Sequence, residues 1–242
     1  MQEAVRLAEL TQGALDVTIG PVVNLWGFGP QKRPEVIPSE TQIEQVLDRV
    51  GIDKLVLENG AARKLNPELY VDLSTIAKGY GVDAVVEALI EAGISSYLVE
   101  IGGEMRVAGN KLNGQKWRIA IEKPVTNERV LQRVIEIGNM GIATSGDYRN
   151  YYEKDGIRYS HLIDPLNGLP IQHNLVSVTV VHPSTMTADG LATALMITGA
   201  DEAKAIAEYN QLAVLLITKQ DGQYVEWVSS HFEQSVTTID PE

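Results

Sequence analysis

Asp189 and Thr193 stand four residues apart in a run that is otherwise small and apolar, "TADGLATAL" at 187–195. On a helix that spacing stacks the carboxylate over the hydroxyl. Both are hard oxygen donors, the kind that hold Mg²⁺ together with water and substrate phosphates. Gly190 and Ala192 would leave room for a ligand to come close. The same pair also reads as ordinary helix chemistry. An Asp in the first turn suits the helix dipole, and a Thr bonds back to the i−4 carbonyl. Spacing alone leaves both readings open.

Three further stretches hold polar residues that local structure does not ask for. In "VDLSTIAKGYG" (71–81) a short strand ends at Asp72, Ser74 is placed to cap a helix, and Lys78 stands in its first turns. Helix N-termini favour anions, so a Lys there is unfavourable unless an anion joins it. The alternative is a capped helix with a solvated Lys. In "GIATSGDYRNYY" (141–152) a strand gives way to a tight turn, Thr144-Ser145-Gly146-Asp147, which is either polar punctuation or a binding loop. In "SHLIDPLNGLPIQH" (160–173) His161 sits on a strand before an Asp164-Pro165 turn. It is either a general acid–base or a structural His; His173 and His182 read as structural.

The rest of the chain must position these residues. It has 242 residues, 44% of them hydrophobic, enough for one large core or two small ones. A formal charge of −12 argues against sequence-independent nucleic-acid binding, and no polybasic membrane segment is present. Without cysteine there are no disulfides, thiolate metal sites or Cys nucleophiles. P-loop, G-x-S-x-G and H-E-x-x-H motifs are missing too. "MQEAVRLAELTQGALD" reads as the last turns of a helix rather than a signal peptide, so the chain is expected to begin in the middle of something.

Residues 27–38 are rich in Gly and Pro and read as a loop. Ser39 opens a helix with Gln42 at N3 of a capping box and Ile43, Val46, Leu47 and Val50 on one face before Gly51. The helix after Ser74 is expected to bury Val82, Val85, Val86, Leu89 and Ile90 and to stop at Gly93. From residue 96 the period becomes two: "SYLVEIGG", "EMRVAG", "KWRIAIEKP" and "RVIEIGNMGIATSG" read as strands, and "RYSHLID" and "LVSVTVVH" continue the sheet. Two helices follow, near 187–195 and 201–209, then a hairpin around Asp221-Gly222. Strands in runs rather than strict β–α alternation give an α+β fold with mixed or antiparallel sheets and packed helices.

Six stretches together resemble one family: "GALDVTIGPVVNLWGFGP" (13–30), "VDLSTIAKGYGVDAV" (71–85), "VEIGGEMRVAG" (99–109), "IATSGDYRNYYE" (142–153), "SHLIDPLNGLPI" (160–171) and "TADGLATALMITG" (187–199). In this order they are similar to the ApbE family, the FAD:protein FMN transferases. The resemblance implies one ApbE-like (T-fold-like) domain over 1–242, lacking the family's N-terminal portion. It implies Mg²⁺-dependent transfer of FMN from FAD to a threonine hydroxyl of a partner flavoprotein, with release of AMP. The acceptors it implies are flavin-bearing subunits of NADH:quinone reductase or Rnf type. The setting it implies is the periplasm, with a lipid anchor that this chain does not carry. Mg²⁺ ligands would be Asp189, Thr193 and the backbone carbonyl of Thr75. Gly13, Ala14, Leu15, Asp72, Lys78 and Ile163 would contact FAD. His161, Thr144 and Ser145 would line the same pocket, with Asp189 and His161 the candidates for catalysis. The same residues would serve a Mg²⁺-dependent FAD pyrophosphatase, or an FAD-binding protein without turnover.

Overall fold

The computed structural model describes residues 1–30, 36–125, 130–148 and 150–239. The middle of the expected 27–38 loop therefore lies outside the described residues. The helices are α1 (Gln2–Leu10), α2 (Gly20–Leu25), α3 (Glu40–Leu47), α4 (Ser74–Glu91), α5 (Thr185–Thr198), α6 (Ala200–Tyr209) and α7 (Ser230–Ser235). The strands are β1 (Leu55–Glu58), β2 (Ala61–Lys64), β3 (Tyr97–Ile101), β4 (Glu104–Ala108), β5 (Ile119–Glu122), β6 (Leu131–Glu136), β7 (Gly141–Gly146), β8 (Tyr151–Lys154), β9 (Ile157–Ser160), β10 (Leu175–His182), β11 (Ala213–Gln220), β12 (Gln223–Val228) and β13 (Thr237–Ile239). Each described strand pair is antiparallel. Contacts divide the chain into two compact units, Met1–Thr75 with Asn150–His173, and Ile76–Arg149 with Asn174–Glu242.

The first unit is built on short elements. Ser39 and Gln42 form the expected capping box at the start of α3, each satisfying a backbone N–H of the other. The α3 face, with Ile43 and Leu47, packs with Val22, Trp26 and Ile163, and Trp26 Nε1 donates to Gly168 O at 2.8 Å. Gly168 has φ +71 and lies so close to Ile43 and Leu47 that a Cβ there would collide, which is why the Asn167-Gly168 turn needs glycine. Two hairpins turn on Asn59-Gly60 and Asp155-Gly156, each with both residues at positive φ, and neither was expected from the sequence. The second corrects a reading. "RYSHLID" does not continue the main sheet; β9 pairs with β8 alone, and His161 falls just past its end. "YVDLS" is likewise no strand but an irregular segment leading into α4.

The second unit is layered. Six strands run in the order β12-β11-β10-β7-β4-β3, with α5 against β7 and β10 on one face. On the other face the sheet β13-β6-β5 shares a core that includes Ile121, Ile135, Ile142, Val181, Leu215 and Phe232. A bulge between Leu175 and Ser177 shifts the register, so that Val176 joins Val181 in that core despite opposite parity. Central strands β10 and β11 are buried on both faces, which explains the unbroken apolar run that opens β11 and the absence of charge in β10 up to His182. The predicted hairpin turns on Asp221 (φ 49) and Gly222 (φ 80).

In α4 the inner face differs from expectation. Val82 and Val86 are buried, but so are Ile76, Gly79 and Asp83, whereas Val85 and Ile90 are exposed. The buried set follows i, i+3, i+6, i+7 and i+10, a stripe that apolar residues alone do not mark because two of its members, Gly79 and Asp83, are not apolar.

Candidate functional site

The expected residues fall in both units. Gly13, Ala14, Leu15, Asp72, Thr75, His161 and Ile163 belong to the first; Lys78, Thr144, Ser145, Asp189 and Thr193 belong to the second.

In the second unit Asp189 is the fifth residue of α5, beyond the first turn, and Ser184 caps the helix by accepting from Thr187 N. Its side chain is 5% exposed. Asp189 Oδ2 accepts the N–H of Gly79 at 3.0 Å. Gly79 can be nothing larger: a Cβ there would lie 2.4 Å from Thr185 O, so glycine is what lets α4 approach the start of α5. Burial pushes the Asp189 carboxyl up to about 6, opposed by the Gly79 N–H, reinforced by the Glu104 charge and opposed again by Lys78. Thr193, one turn on, is half-buried. Gly190 and Ala192 are themselves buried, so their small size serves packing rather than ligand clearance.

Lys78, like Asp189 the fifth residue of its helix, has an anion of the protein's own. Its Nζ pairs with Glu104 Oε1 at 2.5 Å. Glu104 is 3% exposed, and its Oε2 has no hydrogen-bond partner among the described residues. The two side chains line a cleft of about 670 Å³ together with Gly102, Gly103, Thr144 and Tyr148. Strand alternation orders the rest. Ile142 and Met105 belong to the inter-sheet core, so Ser145 and Glu104 point to the opposite face, the one that α5 covers. Thr144 is on the inter-sheet side, 2.9 Å from the Thr179 hydroxyl. Thr144 to Gly146 are thus the end of β7, paired to β10, and not the expected turn.

A second carboxylate holds this corner together. Asp83, 8% exposed, accepts from Thr185 N (3.0 Å), Met186 N (3.1 Å) and Ser184 Oγ (2.8 Å), and pairs with Arg106 at 2.9 Å. Burial alone would raise its pKa, but the N–H groups of Met186 and Thr185 and the Ser184 hydroxyl outweigh burial and hold it below the ordinary carboxylate value. Asp83 lies four residues after Gly79 on the same face of α4, so one turn of that helix fixes α5 and meets Asp189. Asp83, Arg106, Glu104 and Gly79 carried no role in the sequence reading. A glycine inside a helix, four residues before an acid on the buried face, was the available signal.

In the first unit α1 ends in a Schellman pattern with Gln12 in the left-handed region and Gly13 N bonded to Ala8 O at 2.8 Å. Ala14 and Leu15 are buried, which leaves Gly13 to line a shallow cleft of about 340 Å³ with Gly51 and Pro165. Asp72, not Ser74, satisfies the start of α4: its Oδ1 accepts Ser74 N at 2.9 Å, and Ser74 is already helical. Ile163 is 2% exposed in the core. His161 Nδ1 lies 2.9 Å from Asn150 O. A carbonyl only accepts, so Nδ1 is the donor in this contact. No group of three or more His, Asp or Glu able to hold a metal occurs among the described residues.

The profile of the ApbE family matches residues 1–216. The chain belongs to the ApbE family. It is 55% identical over 233 residues to a Vibrio cholerae protein named FAD:protein FMN transferase, a match covering 96% of this chain and 70% of that one. The Escherichia coli K12 protein of the same name is 45% identical, covering 95% and 67%. The solved flavin transferase ApbE from Vibrio cholerae superposes with a TM-score of 0.89 at 53% identity, over 97% of this chain and 74% of that one. The apo flavinyl transferase ApbE of Pseudomonas stutzeri gives 0.87 at 42%, over 96% and 72%. The ApbE fold is therefore the α+β, antiparallel arrangement described above.

Proposed function

We propose that the chain transfers the FMN portion of FAD to a threonine hydroxyl of a partner flavoprotein. The hydroxyl oxygen attacks the FMN-side phosphorus of the pyrophosphate, the P–O bond to the AMP side breaks, AMP leaves, and the hydroxyl proton passes to a base. In a chain of this family, the observation that carries the reading is the Asp189 corner. There a buried carboxylate keeps a raised pKa beside Glu104 and Lys78.

Such a reaction needs positioning and charge neutralisation more than covalent help. Lys78 supplies a cation at the cleft, and the start of α4 supplies N–H groups. The donors suit Mg²⁺: Asp189 and Thr193 carry oxygen donors one turn apart, and Glu104 Oε2 is a buried oxygen with no hydrogen-bond partner among the described residues. With the Thr75 carbonyl, Asp189 and Thr193 would hold the ion, which when bound neutralises pyrophosphate charge. His161 is the candidate base for the incoming hydroxyl. Family resemblance supports flavin-bearing subunits of NADH:quinone reductase or Rnf type as acceptors, and a periplasmic, lipid-anchored setting at the bacterial inner membrane. In this chain, no described helix is long and apolar enough to cross a membrane.

The test is incubation with FAD, Mg²⁺ and an acceptor flavoprotein domain, reading covalent flavin fluorescence on the acceptor and AMP release. Labelled acceptor with equimolar AMP is expected. AMP without label would replace transfer by hydrolysis, and bound FAD with neither product would leave only binding. His161→Asn should lower the transfer rate about 10²-fold; an unchanged rate removes the base role.

A further inference from the structure

Lys78 serves FAD less well while it serves Glu104. Its Nζ is held by Glu104 Oε1, and although an ammonium has three N–H donors, the buried carboxylate already balances the charge that a phosphate would draw on. Releasing it would strand the charge of Glu104, which is 3% exposed, and whose second oxygen already lacks a partner. A buried, unpaired carboxylate is costly, and more so beside another. The other is Asp189. Glu104 points to the face of the six-stranded sheet that α5 covers, and consecutive residues of α4 meet the two acids, Lys78 through its side chain and Gly79 through its N–H. A cation beside these acids would replace the positive charge that Lys78 now provides. Lys78 lines the open cleft and is about half exposed, so its amine has somewhere to go. Gly103 lines the same cleft, with nothing within 4 Å of where its Cβ would be.

We propose that Glu104 is a positioning residue that withholds Lys78 from the FAD pyrophosphate until a divalent cation takes over the charge of the Glu104–Asp189 pair, so that cation and FAD each favour binding of the other through Lys78. The proposal rests on the functional reading above and adds the order in which the site is armed. Linkage makes the coupling reciprocal. Lys78 and the cation compete for the same carboxylates, and whatever frees one strengthens the other.

The test is binding, not turnover. FAD affinity is measured by fluorescence titration in EDTA, and Mn²⁺ affinity by the EPR signal of the free ion without FAD, for the intact protein, Glu104→Gln and Lys78→Met. Glu104→Gln should bind FAD about fivefold tighter in EDTA, because Lys78 is released, and Mn²⁺ about tenfold more weakly. Lys78→Met should bind Mn²⁺ about fivefold tighter without FAD, because the competing charge is gone. Glu104→Gln with weaker or unchanged FAD binding in EDTA overturns the proposal, since a merely structural Glu104 gives that result. So does Lys78→Met with unchanged or weaker Mn²⁺ binding. If the intact protein binds no FAD with or without Mn²⁺, the functional reading falls and the proposal with it. FAD bound by the intact protein but indifferent to both substitutions removes the proposal alone.

Discussion

Asp83 and Asp189 are buried acids at the contact of α4 and α5, and they are opposites. Asp83 is surrounded by donors: two backbone N–H groups, a hydroxyl and a guanidinium meet its two oxygens, and its pKa is lowered. Asp189 is slightly more buried but receives one described N–H, and its pKa rises to about 6. A carboxylate whose lone pairs are filled by the protein does structural work. One that the fold buries and then leaves short of positive charge is kept at a cost to stability, and that cost makes sense where a ligand completes the set. Asp83 fixes the start of α5, and so decides where Asp189 stands.

The contrast is broken most directly by removing each acid. Asp189→Ala should lower FMN transfer about 10²–10³-fold. It should leave stability in EDTA unchanged or higher, because a desolvated charge has gone. A variant that transfers FMN at the normal rate would return Asp189 to the ordinary helix reading. Asp83→Ala should do the reverse. It strands Arg106 and the N–H groups of Thr185 and Met186, and should cost about 4 kcal/mol of stability by urea titration. Transfer by the fraction still folded should fall much less. A loss under about 1 kcal/mol would mean that water replaces the carboxylate without difficulty.

How much of this was legible in the sequence follows from how far apart the partners are. Local rules were visible: the Ser39–Gln42 capping box, the Asp221-Gly222 hairpin, and Asp189 stacked over Thr193 on one helix all stand as read. The Asn59-Gly60 and Asp155-Gly156 hairpins obey the same turn rule. The errors arose where long-range pairing decides. Thr144 to Gly146 have the composition of a turn, but β10 takes them into the sheet. "YVDLS" has the composition of a strand but no ladder to join. Asp83 looked like one polar residue on a helix because its partners at 184–186 lie about a hundred positions away. Glu104 was hidden for the same reason, since only the fold shows that one of its oxygens has no partner. The family resemblance located the motifs and implied Asp189 as an acid for a ligand, and it said nothing about Asp83, which holds the helices, or about Glu104.

Acidity sharpens the comparison further. The folded-state pKa of Asp189 is raised, so between its ordinary value near 4 and about 6 the folded protein keeps a proton that the unfolded chain has released. In EDTA that contribution makes stability fall as pH rises from about 4 to about 6, by about 3 kcal/mol for a shift of about two units, and level off above. Asp189→Asn removes the effect, so the variant should match the parent near pH 4 and exceed it at pH 6–7. Asp83 has the other sign. Its lowered pKa gives stability that is present above the ordinary carboxylate range and lost as pH falls through the depressed value. Urea titrations of both proteins across pH 4–7 check this, and a constant offset between the curves would contradict it.

The smallest effect comes from the partner of Asp83. Arg106 gives it one contact, at 2.9 Å, and is itself about a quarter exposed. Arg106→Leu leaves the N–H groups of Thr185 and Met186 and the Ser184 hydroxyl in place. Those donors, with the Thr185 side chain, are what lower the pKa of Asp83, so the acid should stay ionised at neutral pH and α5 should stay fixed. The expected cost is about 1 kcal/mol, that of one charge-assisted bond partly open to solvent, with FMN transfer unchanged. A loss as large as that of Asp83→Ala would move the weight of this corner from the helix start to the ion pair. Asp83 would then be an acid that, like Asp189, depends on a cation, and the difference between the two would lie only in which cation each one has.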